Sequence, residues 1–131
     1  MADRPYLPPY PVIRNGDMSQ ASITSLVTVL KQLTGASYAY SWSGTAPVGS
    51  ITVQASNDYS LNADGSVNNP GTWTNLTMLV DGTPSETISV TGNTGTRFAD
   101  LDEIMSYAIR TVYTKVSGTG SLQVTVVGKV A

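Results

Sequence analysis

The sequence predicts an all-β fold: an antiparallel β-sandwich, jelly-roll-like or immunoglobulin-like, preceded by an extended proline-rich N-terminal arm. Three observations predict it. Short runs rich in β-branched and aromatic residues alternate apolar and polar positions at period two. Turn signals made of Gly, Asn, Asp and Ser separate these runs about every ten residues. Apart from one candidate turn at residues 100–105, where Asp100 could cap and Glu103 stands three residues on, nothing reads as helix. A chain of 131 residues has room for one such core and little more.

Residues 1–17 read as the arm and residues 18–131 as the sandwich. Pro5, Pro8, Pro9 and Pro11 interleave with Tyr6, Leu7, Tyr10, Val12 and Ile13. Proline fixes φ and drives its predecessor into extended geometry, which rules out a helix or a central strand. An extended segment cannot bury two tyrosines and three aliphatic side chains against itself. Pro5, Tyr6, Leu7, Pro8, Pro9, Tyr10, Val12 and Ile13 must therefore lie on the chain's own sandwich or on another chain. Docking on another chain is the expectation, and removal of residues 1–17 is then expected to leave the sandwich folded.

The first sandwich run covers residues 21–30. Ile23, Ser25, Val27 and Val29 lie on one side and Thr24, Leu26, Thr28 and Leu30 on the other, as for a strand covered on both faces. Tyr38–Trp42 and Gly49–Ser56 are the next two runs. A polar loop, 57–71, leads to Trp73–Val80. Asp81-Gly82 marks a turn, Glu86–Thr91 a short strand, and Gly92–Gly95 another turn. Ile104–Val116 is the longest run, and Ser117-Gly-Thr-Gly120 reads as a hairpin into Leu122–Val130. Ser-Gly-Thr occurs at 43–45 and at 117–119 in surroundings too different for a repeat.

Composition restricts the chemistry. The chain is 40% hydrophobic but only 12% charged, with net charge −2 and seven scattered basic residues. That balance opposes disorder, and the scattered basic residues form no patch for nucleic acid. No apolar run reaches the roughly 18 residues of a membrane span, and the N-terminus has no apolar signal-peptide core. A soluble protein made in the cytoplasm is expected. Histidine and cysteine are absent, which removes Ser-His-Asp and Cys-His catalysis, metal ligation by those residues, and disulfides.

What remains is weak. Asp100, Asp102 and Glu103 could pair as glycosidase carboxylates, but they read as a solvated turn. Asp58, Ser60, Asn62 and Asp64 precede Gly65 with calcium-loop spacing, yet the twelfth position counted from Ser60 is Gly71 and not Glu. That loop reads as one making its own side-chain turns. Trp42, Tyr59 and Trp73 are candidate sugar-stacking residues, joined in or beside loops by Tyr38 and Tyr40. Asn75-Leu-Thr77 has the spacing of a glycan acceptor, which has no meaning without export. No catalytic, cofactor-binding or metal-ligating set is assigned, and a non-enzymatic structural or binding protein is expected.

Two stretches carry a resemblance. Ser41-Trp-Ser-Gly-Thr-Ala-Pro-Val-Gly-Ser-Ile-Thr-Val-Gln-Ala-Ser-Asn-Asp58 is followed by Gly71-Thr-Trp73. Tyr107-Ala-Ile-Arg-Thr-Val-Tyr-Thr-Lys-Val-Ser-Gly-Thr-Gly-Ser-Leu-Gln-Val-Thr-Val-Val-Gly-Lys129 closes the chain. Over roughly residues 38–131 this order resembles small β-sandwich virion proteins of bacteriophages. The resemblance implies a capsid decoration (cement) protein or a head–tail accessory. It would be located on the virion, with the major capsid protein or other virion proteins as partners. A homo-oligomer is expected, a trimer favoured, with no nucleic-acid or membrane partner. The alternative is a carbohydrate- or receptor-binding β-sandwich module using Trp42, Tyr59 or Trp73.

Overall fold

The computed structural model describes residues 6–30, 33–101 and 106–129, and every regular element among them is a β-strand. In chain order these are β1 (Tyr6–Asp17), β2 (Ser22–Thr24), β3 (Thr28–Val29), β4 (Gly35–Ser56), β5 (Ser60–Leu61) and β6 (Val67–Asn69). They continue with β7 (Thr74–Asn75), β8 (Met78–Val80), β9 (Thr83–Ser85), β10 (Ile88–Val90), β11 (Thr94–Leu101) and β12 (Ala108–Lys129).

Two strands organise the rest. β4 and β12 are each 22 residues long and pair antiparallel, from Ala108 opposite Ser56 to Lys129 opposite Gly35. One half of this ribbon, residues 35–45 with 119–129, carries β1 outside β12 and the series β11, β8, β9 outside β4. The other half, residues 49–56 with 108–115, carries β2 and β3 outside β12, and β10 and β7 outside β4. The two halves face each other, and a hydrogen bond of 2.8 Å joins Tyr40 Oη in the first to Thr111 Oγ1 in the second. Thr111 Oγ1 donates onward to the Thr52 carbonyl, so Tyr40 is the donor across the gap. The fold is thus a sandwich made by bending one sheet over itself, with two strands common to both layers.

The side-chain pattern records the bend. In residues 35–45 the even positions Ala36, Tyr38, Tyr40 and Trp42 face the core, whereas in 49–56 the odd positions Ile51, Val53 and Ala55 do. β12 switches in the same way, from Ile109, Thr111 and Tyr113 to Leu122, Val124 and Val126. A strand changes parity only through a bulge. Here the register slips on both sides of Ser117, and Ala46 and Gly118 both adopt positive φ, 47° and 82°. A Cβ on Gly118 would run into the Ala46 carbonyl. Asn93 ties the corner down: its Oδ1 accepts from the Ala46 amide at 2.9 Å and its carbonyl from the Gly44 amide at 2.8 Å.

This corrects one expectation. Ser117-Gly-Thr-Gly120 is no hairpin, because these residues stay paired to β4 as one strand passes from layer to layer. Ser43-Gly-Thr45 faces Thr119-Gly-Ser121, with Thr119 opposite Thr45, Gly120 opposite Gly44 and Ser121 opposite Ser43, while Ser117 stands opposite Val48. β11 is the other difference. Gly92–Gly95 read as a turn, Asp100 as the start of a helical turn, and residues 96–99 belong to no run, yet β11 pairs with β4 from Thr94 to Leu101. Gly95 is required there because the Trp42 ring lies where a Cβ would stand.

Other elements match more closely. Asp81-Gly82, both at positive φ, form the two-residue hairpin joining β8 to β9. The 21–30 run breaks into β2 and β3 and is not covered on both faces, since Leu26 is 58% exposed. The helical turn expected at 100–105 begins with Asp100 and Leu101 inside β11, and its remainder lies outside the described residues.

Candidate docking surfaces

The arm is extended, and it is laid on the chain's own sandwich as β1, an edge strand against the last part of β12. Its composition explains the irregular pairing. Pro8, Pro9 and Pro11 have no N–H to give the ladder, and three register shifts interrupt twelve residues. The segment divides by burial. Val12 and Ile13 lie in the core, 5% and 6% exposed, and Leu7 packs against it. Tyr6 and Tyr10 stand out at 70% and 51%, and Pro8 and Pro9 are exposed beside them. Pro5 lies outside the described residues.

A hollow lies on either side of this strand. One, of about 530 Å³, is walled by Tyr6, Pro8 and Pro9 and floored by Ser37, Val127 and Leu101, with Asp100 and Lys129 contributing the charges. The other, of about 440 Å³, opens between Tyr10, Leu26, Val27 and Val29 at the seam where the β1 edge meets the β2–β3 edge. The Leu26 amide donates to the Val12 carbonyl across that seam at 3.1 Å. Edge strand, two exposed tyrosines and two apolar hollows make one continuous surface.

The three candidate stacking residues separate. Trp42 is in the core, 5% exposed, with its Nε1 unpartnered among the described residues; it cannot act as a stacking surface. Tyr59 and Trp73 do come together, with ring centroids 5.9 Å apart and planes inclined at 56°. Trp73 Nε1 donates to the Pro70 carbonyl at 2.8 Å, which fixes the indole on its own loop. The Arg110 guanidinium carbon sits 4.3 Å from the Trp73 ring centre, so part of the indole is already covered. Arg110 is a residue that the sequence alone does not single out, because its proximity to Trp73 depends on how a distant loop folds back.

The 57–71 loop contains the small β5–β6 hairpin, and its acids serve the backbone. Asp58 Oδ1 accepts from the Thr72 amide and the Ser56 hydroxyl, both at 2.7 Å. Those bonds hold its carboxyl down at about 2. Asp64 accepts from the amide and hydroxyl of Ser66 and is lowered for the same reason. Among the described residues no three acidic side chains converge in a metal-binding group. Asp100 is exposed at the rim of the larger hollow; Asp102 and Glu103 lie outside the described residues.

Fold and surface together define an all-β sandwich with an apolar, proline-bearing edge. Among solved structures, that of the SPBc2 prophage-derived protein YomS is similar, with a TM-score of 0.59 and 12% identity. The match covers 97% of this chain and 96% of that chain, so the likeness is one of fold over nearly the whole length. No protein-family model and no curated protein sequence matches the chain.

Proposed function

We propose that the chain is a non-enzymatic structural protein of a bacteriophage particle, and within that class a capsid decoration protein that stabilises the shell by bridging neighbouring subunits. The supporting observation is the β1 edge, where Tyr6, Pro8, Pro9 and Tyr10 are exposed on a backbone anchored by Val12 and Ile13. The exposed parts of both tyrosines remain to be buried by a partner, and a pre-ordered backbone lowers the entropy lost on docking. The likeness in fold to a prophage-derived protein supports the phage setting. In this reading the partners are the major capsid protein or other virion proteins, the protein is located on the virion, and it acts as a homo-oligomer, with a trimer favoured. Neither nucleic acid nor membrane is a partner. The alternative, a carbohydrate- or receptor-binding module, rests on Tyr59 and Trp73. With Trp42 in the core and Arg110 over Trp73, little open aromatic face remains for a sugar.

The test is co-sedimentation with empty capsids. The double variant Tyr6→Ala, Tyr10→Ala should keep the melting temperature of the parent and lose attachment. Full coating by that variant would overturn the reading.

A further inference from the structure

The outer face of the second layer has a distinct chemistry. Asn75, Gln54 and Arg110 stand side by side across β7, β4 and β12. The next row is Thr52, Val112 and Thr24, followed by Ser50 with Thr114 and Ser22. Arg110 is the one charged side chain in these rows. It is also held rigidly. Its Nε donates to Gln54 Oε1 at 2.8 Å, and Gln54 Nε2 donates in turn to Asn75 Oδ1 at 3.2 Å. The guanidinium lies over Trp73, which leans on Tyr59.

Among the described residues no anion is paired with Arg110. The ion pair among the described residues is Arg97 with Asp81, on the other layer. Among the described residues no hydrogen bond uses the terminal nitrogens of Arg110, and partial burial disfavours its unpaired charge. A guanidinium with its Nε satisfied and its plane fixed presents two parallel N–H groups, the geometry that matches a carboxylate. Around it stand tryptophan, tyrosine and uncharged hydrogen-bonding side chains, the composition of an interface anchor rather than of a solvated charge.

We propose that this face docks a protein partner through an acidic side chain, whose carboxylate is gripped at two points by Arg110 over Trp73. The nature of the partner rests on the particle reading above; the carboxylate specificity rests on Arg110 and its neighbours. Arg110 belongs to the layer opposite β1, and the two surfaces adjoin at Tyr59, which also lines the hollow beside Tyr10, so one subunit has two neighbouring contacts of different chemistry to offer.

The experiment follows the Arg110 Nε–Hε and Trp73 indole resonances of the full chain at constant ionic strength. N-acetylglutamate amide is compared with N-acetylglutamine amide. The acid should shift both resonances saturably, with the neutral amide roughly tenfold weaker, the difference between charged and neutral hydrogen bonds. Arg110→Lys, which keeps charge but not the fork, should weaken the acid severalfold, and Arg110→Gln should abolish its effect. Equal response to the two amides, or undiminished binding by Arg110→Gln, would overturn the proposal. The wild-type comparison decides alone should a variant fail to fold. Methyl galacturonate is the third probe, and tighter binding of this acidic sugar would overturn a protein partner in favour of a glycan. Carboxylate binding that persists while Tyr6 and Tyr10 prove dispensable would sink the β1 reading and leave this one standing; the reverse result would do the opposite.

Discussion

At Ala46 an L-residue with a side chain sits at φ 47° in the corner where β4 bends. That conformation costs roughly 1–2 kcal/mol for a non-glycine residue. Replacement by glycine removes the strain but adds unfolded-state freedom of about 0.4–1 kcal/mol. Ala46→Gly should therefore stabilise the protein by about 0.5 kcal/mol, read from the urea midpoint. The facing residue behaves oppositely. Gly118→Ala meets both a positive φ of 82° and the Ala46 carbonyl, and should cost about 3 kcal/mol. A Gly118→Ala variant as stable as the parent would mean that the corner is not built as described. Neither effect is visible in sequence, where Gly118 reads as the tip of a hairpin.

Among the elements, β1 joins local proline chemistry to a long-range pairing. The prolines excluded a helix and a central strand, and the segment is an extended edge strand. The prolines could not say whose edge it covers. Val12 and Ile13 lie in the core of the same chain, so deleting residues 1–17 removes core side chains along with the surface tyrosines. The expectation that the truncated sandwich stays folded is revised accordingly. Val12→Ala and Ile13→Ala should each cost about 2–4 kcal/mol, whereas Tyr6→Ala and Tyr10→Ala should each stay within about 0.5 kcal/mol. Thermal melts of the four variants check this. Equal losses at all four positions would contradict the division of the strand into an anchoring and a presenting half. β4 and β12 were legible only as separate runs, 38–42 and 49–56 for one and 104–116 and 122–130 for the other. Ser117-Gly-Thr-Gly120 read as a reversal because glycine-rich turns and glycine bulges share a composition.

For the molecule as a whole, acid is the expected weakness. Asp17, Asp58, Asp64 and Asp81 are all held below their ordinary value, Asp17, Asp58 and Asp64 chiefly by hydrogen bonds from neighbouring hydroxyls and amides and Asp81 chiefly by Arg97. A carboxyl with a lowered folded-state pKa contributes stability that is fully present above its unfolded value and is lost as pH falls through the folded one. Stability should therefore hold above about pH 4 and decline toward pH 2, the Asp58 carboxyl titrating at about 2. Asp58→Asn should remove its share of the decline and loosen the junction to Thr72. A melting temperature independent of pH over that window would contradict these hydrogen bonds. The four carboxyls are exposed, so the effect should shrink with added salt where Arg97 is the partner.

Period-two patterning and turn residues were enough by themselves to determine an all-β chain, and composition alone shows that these 131 residues contain no His or Cys. Those are local properties, carried by neighbouring residues and by composition. Only the tertiary structure decided that one sheet bends into both layers, that the arm closes the edge of its own sandwich, that Trp42 is core while Trp73 meets Arg110, and that Ser43-Gly-Thr45 faces Thr119-Gly-Ser121. Each of these depends on residues far apart in sequence approaching one another, such as Lys129 opposite Gly35. The reason is physical: an alternating strand specifies which side chains turn inward, but its pairing partner is set by the total burial and hydrogen bonding of the whole sheet.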